Sequence, residues 1–269
     1  MNLWLDAFVL GIIQGLTEYL PISSTGHIRI VAVFMGIPDP GAAFSAVTQL
    51  GTAFAVGLYF RRDLKSLVSS VIKRNDDQSA RLFRYMVIAT IPIVIVGFFF
   101  ADFFETTARD LRLIAAMLIV FGILLYVVDK LGPQLKGVGN LSTSNSIWIG
   151  LSQVLALVPG VSRSGVTMTM GRLLGFDRVA AARISFLLSL PAIFLSAIYQ
   201  LQYLGVASNF DWIHTAFAAL VSFITGYLSI EFILRWLTRH TFTIFAIYRV
   251  ILGSVLIAGL IWFDLVPVG

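Results

Sequence analysis

Of the 269 residues, 58% are hydrophobic and only 12% charged, about half the charged fraction of a soluble domain, so the chain reads as an integral membrane protein. It has no cysteine, which excludes disulfides and thiolate metal sites. The net charge of +5 falls mostly in connections between apolar runs, as topology signals do, and makes no case for nucleic-acid binding.

The chain opens on an apolar segment, 3–20, that ends in a Pro/Gly/Ser-rich break. It has Asp6 where a signal peptide would want Lys or Arg, so it is not expected to be cleaved. Spanning helices are predicted at 44–60, 85–101 and 113–128. A second apolar segment that ends in a break follows at 146–158, then three more spans at 185–204, 214–234 and 241–263. These runs are continuously apolar rather than alternating, which argues against strands.

Charge orients the spans. The connection 61–84 carries seven Lys/Arg and is expected in the cytoplasm; 204–213 carries none and is expected outside; 235–240, "RWLTRH", is basic again. Counting crossings from 61–84 makes 146–183 enter and leave from the cytoplasm, and 1–43 enter and leave from outside. Both motif regions therefore read as re-entrant hairpins from opposite faces. Their sequences also align: "GIIQGLTEYLPISSTG" (11–26) lies on "GLSQVLALVPGVSRSG" (150–165), matching Gly11 with Gly150, Gln14 with Gln153, Ser23 with Ser162 and Gly26 with Gly165. The expected fold is a single all-α membrane domain of six transmembrane helices plus two re-entrant helical hairpins. It forms an inverted-topology repeat, with repeat 1 at about 1–130 and repeat 2 at about 146–269.

The first motif offers an acid and a nucleophile. Gln14 and Glu18 stand four apart on one helix face, and a carboxylate in an apolar segment is a functional-site hypothesis by default, against the alternative of a solvated helix end. Pro21 breaks the helix. Ser23, Ser24 and Thr25 either cap the next helix or, with its free N–H groups, hold an anion. His27, three residues after Ser24, is within reach as a general base if the turn is tight. The second motif supplies Arg163, whose planar fork suits phosphate, with Ser162, Ser164 and Thr167 as further donors. Arg249 interrupts the last span, either as a phosphate ligand or paired with an acid such as Glu231. Arg172, Arg178 and Arg183 are expected at an aqueous edge or among headgroups; for Arg29, just inside an apolar run, the sequence offers no physical account. This kit suits hydrolysis of a lipid phosphate ester or anhydride. The rival class is a lipid-phosphate transporter or flippase on the same inverted-repeat fold.

"QGLTEYLPISSTGH" and "PGVSRSGVT", together with "FSAVTQLG" (44–51), "RISFLLSLPA" (183–192) and "FAIYR" (245–249), closely resemble the undecaprenyl pyrophosphate phosphatase family, also called bacitracin-resistance proteins, over essentially the whole chain. The resemblance implies hydrolysis of undecaprenyl pyrophosphate to undecaprenyl phosphate and phosphate, recycling the lipid carrier for peptidoglycan and other envelope polymers. It also implies a multi-pass bacterial inner-membrane protein, a site open to the periplasm or outer leaflet, a divalent cation (Mg²⁺ or Ca²⁺), a polyprenyl pyrophosphate substrate and a homodimer. Carried over by position, the family's acidic pair falls on Gln14 and Glu18, its serine on Ser24, its histidine on His27 and its arginine on Arg163. Ser24 is the preferred nucleophile, with His27 as base and Glu18 orienting it or holding the metal. Gln14 removes one negative charge from the pair, which lowers the expected affinity for a hard cation.

Overall fold

The computed structural model describes residues 3–105, 110–204 and 211–262, and among them all regular structure is helical apart from a single backbone bridge between Lys136 and Phe176. Six helices are long and apolar enough to span a bilayer: α3 (Gly41–Tyr59), α5 (Gln78–Glu105), α6 (Leu111–Leu131), α9 (Arg178–Leu204), α10 (Trp212–Trp236) and α11 (Thr243–Trp262). They coincide with the six expected runs. Four helices are shorter: α1 (Leu3–Tyr19), α2 (Ser24–Met35), α7 (Thr143–Val154) and α8 (Arg163–Leu173). The shortest of these has 11 residues and the longest 17, against about 20 for a span.

The remaining helix, α4 (Arg61–Ile72), falls where the sequence reading had only a basic connection. Its Leu67 and Ser70 are buried while Arg61, Arg62 and Lys65 are exposed. Ser70 Oγ donates to Asp77 Oδ2 at 2.8 Å, and Asp77 Oδ1 accepts the Ala80 N–H at 2.9 Å, capping the start of α5. The Ala80 bond first, then the Ser70 bond, hold the Asp77 carboxyl below its ordinary range.

Helices approach closely where glycine leaves room, as membrane helix packing requires. A methyl group on Gly51 of α3 would lie 2.1 Å from the Ala219 carbonyl oxygen of α10, and one on Gly253 of α11 would lie 2.7 Å from that of Ala115 on α6. Helix α1 packs on α10 and α7 on α5; α3 packs on α10 and on α9; α6 packs on α11.

At the far end of α8 from its first residue, a buried carboxylate gathers the chain. Asp129 Oδ1 accepts from Arg172 Nε at 2.9 Å and Arg178 Nε at 2.8 Å, and its Oδ2 accepts the Phe242 N–H at 3.0 Å. Arg172 is fully buried and also donates to the carbonyls of Asp129, Gly132, Pro133 and Phe176. This corrects the expectation of an aqueous edge for Arg172, which the carboxylate and the carbonyls satisfy internally; Arg178 stays partly exposed and also donates to Gln134 Oε1 at 3.3 Å. Arg183 pairs with Asp63 of α4 at 3.2 Å.

Candidate active site

Two helix breaks carry the motif residues, and they are built alike. Leu20–Ser23 separates α1 from α2; a single 3₁₀ turn, Leu155–Leu157, then Val158–Ser162 separate α7 from α8. Each break ends on a serine with left-handed φ, 76° at Ser23 and 73° at Ser162. A non-glycine residue held there costs about 1–3 kcal/mol. Side-chain capping offsets the strain: Ser23 Oγ accepts the Gly26 N–H at 3.4 Å, and Ser162 Oγ accepts that of Gly165 at 3.1 Å.

The breaks touch. The Gly160 N–H donates to Ser23 Oγ at 3.2 Å, and Ser164 Oγ donates to the carbonyls of Glu18 at 3.1 Å and Leu20 at 3.0 Å. Arg249, fully buried on α11, fastens both: Nη1 donates to the Pro21 carbonyl at 3.0 Å, and Nη2 donates to those of Gly160 and Val161, each at 2.9 Å.

Glu18 is where the two halves meet chemically. Its Oε2 accepts from Gln14 Nε2 at 2.8 Å and from Ser24 Oγ at 2.6 Å. Its Oε1 pairs with Arg163 Nη2, the first residue of α8. Glu18, Ser23, Ser24, Thr25, Ser162 and Arg163 line a cavity of about 530 Å³. Its other walls are α3, α5 and α9, with apolar Ile93, Val94, Phe98, Leu157, Leu195 and Ile198. One end is therefore acidic, hydroxylic and cationic, and the remaining walls are largely apolar, with the side chains of Ser45, Gln49, Ser196 and Gln200 set among them.

Some expected site residues stand elsewhere. His27 does not reach Ser24: Nδ1 lies 2.7 Å from the Ser23 carbonyl and Nε2 lies 2.7 Å from the Tyr248 hydroxyl. A carbonyl only accepts, so Nδ1 carries the proton and Nε2 takes the Tyr248 O–H, leaving no lone pair for the serine. Arg249, Ser164 and Thr167 lie outside the cavity lining. The guanidinium and the Ser164 hydroxyl are engaged by carbonyls as above, and Thr167 Oγ1 donates to the Arg163 carbonyl at 2.7 Å and lies 2.7 Å from the Ser185 hydroxyl. The alternative pairing of Arg249 with Glu231 is also not formed, since Glu231 pairs with Arg235 at 2.5 Å one turn along α10. Conversely, the sequence reading did not single out Ser45 and Gln49 of α3 or Ser196 and Gln200 of α9, which line the cavity. Each pair is spaced i, i+4 within an apolar helix, a signal that was available.

The residues present fit a divalent cation that substrate helps to hold. Among the described residues no group of three His, Asp or Glu forms a cage. Gln14 Oε1, however, is buried without a hydrogen-bond partner; the same amide turns its Nε2 to Glu18, and Gln14 lies behind the cavity lining, so Oε1 would meet a cation beside Glu18 only with the amide rotated. Hard cations accept amide and carboxylate oxygens, and Mg²⁺ commonly takes one or two carboxylates plus substrate phosphates.

Six apolar spans define a multi-pass membrane protein, and three of them, α3, α5 and α9, join the two breaks in lining a cavity that holds a serine, a carboxylate and an arginine. Residues 7–255 match the family described as "Bacitracin resistance protein BacA", and the chain belongs to that family. It is similar to the undecaprenyl-diphosphatase of Thermobifida fusca (strain YX), 45% identical over 262 residues that cover 94% of this chain and 89% of the relative. The undecaprenyl-diphosphatase of Renibacterium salmoninarum is 43% identical over 276 residues, covering 98% of each chain. That of Micrococcus luteus is 42% identical over 266 residues, 95% of this chain and 96% of the relative.

Proposed function

We propose that this protein hydrolyses undecaprenyl pyrophosphate to undecaprenyl phosphate and inorganic phosphate, returning the lipid carrier to envelope synthesis and conferring bacitracin resistance. The observation that carries the reading is the convergence of Ser24 Oγ and Arg163 on one carboxylate, Glu18, in a cavity with an apolar flank. Ser24 Oγ attacks the terminal phosphorus while Glu18 Oε2, 2.6 Å away, takes its proton. The bond from that phosphorus to the bridging oxygen breaks, and undecaprenyl phosphate leaves with the electron pair. Arg163 exchanges its carboxylate for the phosphoryl oxygens, where charge develops. Glu18 passes the Ser24 proton to the departing phosphate oxygen; it then takes a proton from the water that attacks the phosphoserine and returns it to Ser24 Oγ as the P–O bond to serine breaks, releasing inorganic phosphate. Base function thus passes from His27 to Glu18. A Mg²⁺ or Ca²⁺ ion, held by Glu18 and Gln14 together with substrate, would neutralise pyrophosphate charge.

The two breaks read as re-entrant hairpins of an inverted repeat. Three observations support this: the paired capping serines, the aligned glutamines Gln14 and Gln153, and the exchange of α1 on α10 for α7 on α5. The basic stretch 61–84 supports a cytoplasmic α4 and a site open to the other face of the bacterial inner membrane. In this cysteine-free chain, Lys73→Cys should resist an impermeant label added from outside and Ser208→Cys should react; position 208 lies outside the described residues. Both halves of the site come from one chain, so activity is proposed to belong to each copy of the homodimer that the resemblance implies.

The test is phosphate release from undecaprenyl pyrophosphate by purified protein in detergent, with and without chelator. Chelation is expected to abolish release, and Arg163→Ala should lower it about a hundredfold or more. Full activity in Arg163→Ala would sink the two-break site, and no release by the wild type with any divalent ion would favour a lipid-phosphate transporter.

A further inference from the structure

Arg29 is used by nothing described so far. Its side chain is only 10% exposed, and Nε and Nη1 are buried without a hydrogen-bond partner. A guanidinium stays charged, so buried N–H groups without an acceptor are costly and mark a place where oxygens belong. Among the described residues its ion-pair partner is Asp39, with Oδ2 at 3.6 Å from Nε, near enough for attraction and too far for a hydrogen bond. Asp39 Oδ1 accepts the N–H of Gly41, the first residue of α3, at 3.1 Å.

The position relates Arg29 to the cavity. It lies on α2 one turn beyond Thr25 and on the same face, and Thr25 lines the cavity, as do Ala42 and Ser45 in the first turns of α3. Arg29 itself is not a lining residue; it stands one turn along α2 from Thr25, which is, and against Asp39, just before α3. Charge makes the case for a ligand. Among the described residues lining the cavity, Arg163 is the one cation, and it is paired with Glu18. A pyrophosphate brings two phosphoryl groups, and hydrolysis leaves a free phosphate to release.

We propose that Arg29 binds a phosphate oxyanion at the α2–α3 end of the cavity, with Asp39 as the internal carboxylate that holds it while no anion is there. The two sources are the substrate's second phosphoryl group and the inorganic phosphate product. The inference rests on the pyrophosphatase reading for its source, but the binding itself can be measured without turnover.

The experiment measures the Kd for inorganic phosphate by calorimetry on detergent-purified wild type, Arg29→Gln, Arg29→Lys and Asp39→Asn, and the KM for undecaprenyl pyrophosphate on the same four proteins. Arg29→Gln should weaken phosphate about tenfold or more, the scale of one charged hydrogen bond. Asp39→Asn should tighten it, because the competing carboxylate is gone, and Arg29→Lys should fall between wild type and Arg29→Gln. Opposite shifts from the two ends of one ion pair are what a purely structural pair cannot give. Opposite shifts in phosphate Kd identify the product as the ligand. Opposite shifts in KM with an unmoved phosphate Kd identify the substrate's second phosphoryl group. Shifts of the same sign, or none in either constant, overturn the proposal. Should the wild type release no phosphate from the lipid, the Kd arm still decides the Arg29 site alone.

Discussion

Glu18 shows how one side chain organises the site. Its Oε2 takes the Gln14 amide and the Ser24 hydroxyl, and its Oε1 faces Arg163, so in the proposed mechanism it would both orient the nucleophile and hold the oxyanion ligand in reserve. Glu18→Gln removes the base but keeps the shape, and should lower kcat by about 10²-fold or more, with KM much less affected. Ser24→Ala should do the same and abolish any trapped phosphoserine. His27→Ala should behave differently. The imidazole joins the Ser23 carbonyl to Tyr248, so its loss should cost about 1–3 kcal/mol of stability and only part of the activity. Tyr248→Phe should shift Tm in the same direction. Loss of all His27→Ala activity with an unchanged Tm would return the base role to His27. An acid inside an apolar segment was legible in the sequence, because lipid makes it expensive. Which side chain faces Ser24 was not, because it depends on the left-handed Ser23 and on α11, more than 200 residues away.

At the scale of elements, the spans were legible because a continuous apolar run has few other uses, and the breaks were legible because Pro21, Pro159 and Gly160 interrupt such runs. Helix α4 was hidden: its charges read as a connection, whereas an amphipathic helix needs only Leu67 and Ser70 turned inward. The breaks yield a comparative prediction. Both capping serines should cost about 1 kcal/mol on replacement by alanine. Ser23 also accepts the Gly160 N–H from the opposite break, so Ser23→Ala leaves a further buried donor without a partner, about 1–3 kcal/mol more. Thermal unfolding in detergent should therefore show a larger loss for Ser23→Ala than for Ser162→Ala. Equal losses would mean that the two breaks do not lean on each other through that bond.

The whole molecule is fastened at two levels along α8. At its first residue Arg163 reaches Glu18; nine residues on, about 14 Å along the helix axis, Arg172 reaches Asp129. The sequence announces both arginines but not their different fates, because the carbonyls that surround Arg172 come from the end of α6 and the connection after it. Asp129 holds Arg172, Arg178 and the Phe242 N–H together, so it ties α6, α8, α9 and the α10–α11 turn. Asp129→Ala would strand a fully buried guanidinium, which costs about 3–5 kcal/mol. Arg178→Ala removes a partly exposed partner and should cost much less, about 1 kcal/mol. Thermal unfolding of the two variants should show that order. The phosphatase rate per folded molecule should stay near wild type in Arg178→Ala, since the cavity lies at the other end of α8. A collapse of that rate without loss of Tm would mean that the knot at Asp129 also sets the position of Arg163, and that α8 transmits strain along its length rather than merely anchoring it.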